Sequence, residues 1–132
     1  MNFLVFFLLT LLSFFAVSSS GATVEYNWDL TWLTANPDGR LVRPVIGVNG
    51  HWPPPPVHVT VGDRLLVHLN NHLGNESTTI HWHGIYQTGT TGQDGPSMVT
   101  QCPILPGMSY TYNFTVDCPE SFLPPDGVLI CG

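Results

Sequence analysis

Among 132 residues, three basic side chains (Arg40, Arg43 and Arg64) stand against nine acidic ones, a formal charge of −6. A chain so poor in cations has no electrostatic footprint for a phosphate backbone, which excludes nucleic-acid binding. All 13 glycines and all 12 prolines lie beyond residue 20, which argues against a helical bundle and for one small all-β domain, too short for two domains flanking a cleft.

Phe3 to Val17 is apolar except at Thr10 and Ser13, and the small residues Ser18 to Ala22 follow. This reads as a secretory signal over residues 1–22, with the mature protein secreted to the extracellular side. Its apolar run is shorter than the roughly 20 residues that span a bilayer, so no transmembrane segment is expected beyond the leader. No basic region precedes it, which leaves an uncleaved anchor open. Two sequons, at Asn75 and Asn113, agree with a secretory route and mark candidate glycosylation sites.

Val24, Tyr26, Trp28, Leu30 and Trp32 alternate with Glu25, Asn27, Asp29 and Thr31, the period of two of a half-buried strand. Asn36-Pro37-Asp38-Gly39 supplies a turn, Leu41 to Val48 a second strand, and Asn49-Gly50 a tight bend. Pro53 to Pro56 cannot sit in a central strand and form an extended connector. Val57, Val59 and Val61 are separated by Gly62-Asp63 from Leu65, Val67 and Leu69, giving two strands or one bulged strand. Asn70 to Ser77 is a polar loop, Thr79 to Gly84 a short strand, and Thr88 to Pro96 a loop. In Ser109 to Val116 the apolar Tyr110, Tyr112, Phe114 and Val116 alternate with polar residues, so Asn113 faces solvent. Short strands separated by Gly/Pro turns predict an antiparallel Greek-key sandwich or barrel. Asp117 to Gly132 lacks a comparable pattern and is expected to be disordered.

Cys102, Cys118 and Cys131 are odd in number, so in an oxidising compartment at least one is free, intermolecular or missing its partner. No histidine follows His83, which excludes a zinc finger in the usual Cys-then-His order. The chemistry concentrates in His81-Trp82-His83. On a strand, positions i and i+2 share a face at roughly 6.6 Å, so both imidazoles can serve one metal ion or two neighbouring ions. A polar strand face is the plainer reading of the same pair. His51, His58, His68 and His72 are read as surface or hydrogen-bonded histidines.

The order Ile80-His81-Trp82-His83-Gly84, Gln87, Asp94-Gly95-Pro96, Thr100-Gln101-Cys102-Pro103-Ile104, Pro106-Gly107 and Tyr110 to Val116 resembles the first cupredoxin domain of the multicopper oxidases, especially fungal laccases and ferroxidases. The resemblance runs from about Ala22 to Val116 and includes Val45 to Gly50 and Val61 to Arg64, so residues 23–116 are expected to form a cupredoxin-like sandwich. It implies copper, with His81 a type 2 ligand and His83 a type 3 ligand of a trinuclear cluster that reduces dioxygen to water while a phenol or Fe(II) is oxidised. It also implies that Asp94 lies near the cluster, able to orient water or relay protons; read without copper, Asp94 is a turn residue before Gly-Pro. Cys102 resembles a cysteine that the family bonds to a distant part of the chain.

After Val116 the resemblance breaks off. Family members continue to a His-Ser-His motif and later a His-Cys-His motif, whereas here Asp117-Cys118-Pro119-Glu120 follows and the sequence given ends at Gly132. A trinuclear cluster takes about eight imidazoles and a blue copper site a Cys with two His, against six histidines here. The expectation is a truncated copper-binding domain, incomplete at its C-terminal side, inactive alone, and left with apolar interface surface and an open sheet edge. Its competitors are a secreted single-domain binding module with at most a weak Cu(II) site and no redox turnover, and a purely structural glycoprotein.

Overall fold

The computed structural model describes residues 21–117 and the backbone of 129–131. The expected leader up to Ser20 and the stretch 118–128 of the expected tail lie outside the described residues, as do the side chains of Cys118 and Cys131.

Among the described residues six strands follow in chain order: β1 (Thr23–Ala35), β2 (Arg43–Val48), β3 (Val57–Val59), β4 (Arg64–Asn71), β5 (Ser109–Thr115) and β6 (Leu129–Cys131). The main sheet runs β2-β1-β4-β5, and β3 pairs in parallel with β6. Neighbours are antiparallel except β1 and β4, whose parallel pairing takes the chain across through β2 and β3 in a Greek-key path. The fold is all-β as expected, and the sheet is not closed. The only helical piece among the described residues is a turn of 3₁₀ helix at Thr91–Gln93, and no helix there is long and apolar enough to cross a membrane.

The predicted turns take the geometry their residues favour. Gly39 donates its N–H to the carbonyl of Asn36, with Pro37 suited to the first corner. Asn49 and Gly50, at φ 50 and 77, close the β2 end while Val48 and His51 exchange backbone hydrogen bonds, the left-handed pair that an Asn-Gly bend requires. The second strand begins only at Arg43, since Leu41 and Val42 are exposed. Gly62-Asp63 resolves the alternative between two strands and one bulged strand: β3 and β4 are separate, joined by a turn in which Asp63 binds the N–H of Thr60.

The core joins inward positions of both sheets: Trp28 and Leu30 from β1, Val48 from β2, Val57 and Val59 from β3, Leu65, Val67 and Leu69 from β4, and Tyr112 and Phe114 from β5, with Val116 just beyond. The alternation read for β1 fails at its end. Trp32 is 44% exposed because β1 outruns β4 at Leu30–Asn71, and its indole N–H is bonded by the Leu73 carbonyl instead. The edge strand β5 is partly protected, because Gln93 Oε1 accepts the outward N–H of Asn113.

Candidate metal centre

Thr79 to Gly84, expected as a short strand, is not one. Thr78 exchanges two backbone hydrogen bonds with Ile104, and the ladder ends there on both sides. Pro106 has no N–H to offer at the next bonding position. On the other side the N–H of Ile80 goes to the Tyr112 hydroxyl at 2.9 Å and that of Trp82 to the Asp94 carbonyl at 3.0 Å. The extended segment nevertheless keeps the predicted division of faces. Trp82 is buried, stacked on Trp28 at 6.0 Å and edge-on to Tyr112 and Phe114, while His81 and His83 are exposed.

The two rings are neighbours, 5.6 Å between centroids and 77° between planes. His81 Nδ1 lies 3.0 Å from the main-chain oxygen of Asp94 and 3.4 Å from its carboxylate. A carbonyl only accepts, so Nδ1 carries the proton and Nε2 presents a lone pair. This is the arrangement that orients a metal-binding imidazole. The contact depends on Gly95, at φ 102, because a side chain there would collide with the Ile80 carbonyl and push the Asp94 loop off the segment. His83 occupies the corner of a tight turn closed by the N–H of Ile85 on the Trp82 carbonyl, with Gly84 at φ 88.

The structure brings His81 against both His83 and Asp94. The other histidines lie elsewhere: His68 bridges Thr111 and Glu25 across the sheet, and His72 stands 3.5 Å from Asp29. Cys102 is exposed and carries a free thiol. Asn75 is exposed on its loop, whereas Asn113 is half-buried and its side-chain oxygen accepts from Arg64.

Two groups were given no role by the sequence reading. Asn71, 1% exposed, bonds the carbonyls of Glu76 and Ile104 and the N–H of Leu73, holding the loop that leads into the histidine segment. Gln87, 2% exposed and at φ 54, has its N–H and that of Thr88 bound by the Asp117 carboxylate at 3.1 and 2.8 Å. An Asn at a strand end and a Gln in a loop carry no sequence signal of burial; only the fold supplies their partners.

Adjacent imidazoles, one fixed through its far nitrogen, suit an ion that prefers nitrogen donors, as copper does. Among the described residues no group of three or more His, Cys, Asp or Glu could hold a metal.

An open Greek-key domain presenting paired imidazoles at its surface is of the cupredoxin-like copper-protein class. The chain belongs to the multicopper oxidases: the model of that family matches residues 29–123. An iron transport multicopper oxidase of Epichloe festucae is 53% identical over 104 residues, 79% of this chain and 17% of the relative. L-ascorbate oxidase of Cucurbita maxima is 41% identical over 122 residues, 92% of this chain and 21% of the relative. The crystal structure of Fet3p, a multicopper oxidase that functions in iron import, superposes with a TM-score of 0.68 at 46% identity, covering 72% of this chain and 18% of that one. The chain thus spans about a fifth or less of the length of these relatives.

Proposed function

We propose that this chain is the copper-binding first domain of a secreted ferroxidase- or laccase-type multicopper oxidase, with His81 serving a type 2 ion and His83 a type 3 ion. The observation that carries the reading is the His81–Asp94 contact, which leaves Nε2 available beside a second imidazole. Copper held there supplies one-electron chemistry that couples oxidation of Fe(II) or a phenol to reduction of dioxygen to water. The chain's own contribution is positioning. Trp82 fixes the segment in the core, Gly95 admits the Asp94 carbonyl, and that carbonyl keeps the proton on His81 Nδ1. The Asp94 carboxylate, 3.4 Å from the same nitrogen and about a quarter exposed, stands where it can hold or hand on a proton. Glycans at Asn75 and Asn113 fit a secreted protein, Asn75 being the better exposed.

The pair alone supplies half or less of one ion's donors, and this favours a second reading, a secreted single-domain module with a weak Cu(II) site and no turnover. Titration of the full chain with Cu(II), followed by NMR line broadening, tests both. The first reading expects weak broadening of both rings, lost at each site in His81→Ala and His83→Ala. Weak but saturable one-to-one binding abolished by either substitution supports the second, and no effect on either ring overturns both.

A further inference from the structure

Asp117 follows β5 and Val116, yet its carboxylate reaches across thirty residues of chain to the loop that carries His83. Its two oxygens accept the N–H groups of Gln87 and Thr88. The gripped loop is irregular backbone, with Gly84, Gln87 and Gly89 all at positive φ. Of these only Gln87 carries a side chain, and its left-handed conformation, which costs free energy in isolation, persists only where its surroundings hold it. The remaining bonds lock the same point: the Gln87 carbonyl accepts from Thr90 N–H, and its side-chain oxygen accepts from the Thr90 hydroxyl. On the near side His83 is bracketed by the buried Trp82 and Ile85. The turn bearing His83 is therefore pinned at one end by the core and at the other by a carboxylate at the end of β5.

We propose that Asp117 is a positioning residue for His83: it acts through the Tyr86–Thr88 backbone to hold that imidazole beside His81. The inference rests on His83 being a copper ligand. His81, held separately by Asp94, provides an internal comparison.

The test uses the full chain, wild type and Asp117→Asn. The substitution keeps the shape but leaves one oxygen for two N–H donors. The first readout, on the metal-free protein, is amide hydrogen exchange at Gln87 and Thr88 together with ring order at His81 and His83 from side-chain NMR relaxation. The second is line broadening of each ring by added Cu(II). In Asp117→Asn, amide exchange at both positions should rise about tenfold or more, because a charge-assisted hydrogen bond is lost. The His83 ring should lose order and broaden less with Cu(II), while His81 order is unchanged. Faster exchange with unaltered His83 order overturns the proposal and leaves Asp117 a loop anchor only. Should Asp117→Asn not fold, Asp117→Glu, which keeps the charge but moves the carboxylate relative to the Gln87 and Thr88 N–H groups, should produce a smaller change of the same sign at His83; none overturns the proposal. Absence of Cu(II) broadening in the wild type would overturn the copper reading, while the metal-free measurement still decides the positioning role.

Discussion

Trp28 of β1 stacks on Trp82 with 6.0 Å between ring centroids and planes 24° apart, so the first strand is the floor on which the histidine segment rests. Trp82 also meets Tyr112 and Phe114 edge-on, which lets one side chain tie a segment without strand pairing to the centre of the domain.

Trp82→Ala should therefore cost about 3–5 kcal/mol, the range for deleting a large aromatic from a core. That is a large part of the 5–15 kcal/mol of total stability usual for a domain. Urea denaturation followed by far-ultraviolet circular dichroism measures it; a loss under about 1 kcal/mol would mean the indole is not packed as described.

Gly95→Ala should destabilise by at least about 1–3 kcal/mol, since a side chain must enter left-handed backbone and collide with the Ile80 carbonyl. The same collision displaces Asp94, so the His81 Nδ1 proton should lose its hydrogen-bonded shift in imidazole NMR spectra. Thermal melts and those spectra should change together.

Tyr112→Phe should cost about 1–3 kcal/mol, because the hydroxyl accepts the N–H of Ile80 and its loss leaves a half-buried donor unpaired. Burial pushes the Tyr112 phenol above its ordinary value of 10.0, opposed in part by that N–H. In an ultraviolet titration its ionisation should come later than that of an ordinary tyrosine and be missing from the variant.

Stability should depend on Asp117 at acid pH. Burial raises the pKa of this carboxyl, but the hydroxyl and N–H of Thr88 and the N–H groups of Gln87 and Tyr86 outweigh it and hold the group below 3.8. A depressed folded value means the stabilisation is fully present above the unfolded pKa and is lost as pH falls through the folded one. The stability difference between wild type and Asp117→Asn should be constant from neutral pH down to about pH 5 and shrink below about pH 4, as read by chemical denaturation across that range.

The strands were legible where an alternating run faces the core along its whole length, as from Val24 to Leu30 and from Tyr110 to Val116. That the two imidazoles share a side was legible for a related reason: His81 and His83 flank the inward-facing Trp82, so both turn outward whether or not a ladder forms. The reading failed where long-range partners decide. Trp32 continues the pattern of β1 but lies beyond the end of β4. Thr79 to Gly84 has the burial alternation of a strand, but its amides are taken by a phenol and a loop carbonyl. The grip of Asp117 on Gln87 and Thr88 spans too much chain for spacing to reveal.

The parallel pairing of β1 with β4 sets Thr23 against Arg64 and Leu30 against Asn71, contacts that close a loop of about forty residues. Such a contact pays its entropy before any neighbour rewards it. During synthesis, the β1–β2 hairpin thus has to wait, one flank unpaired, until β4 has left the ribosome.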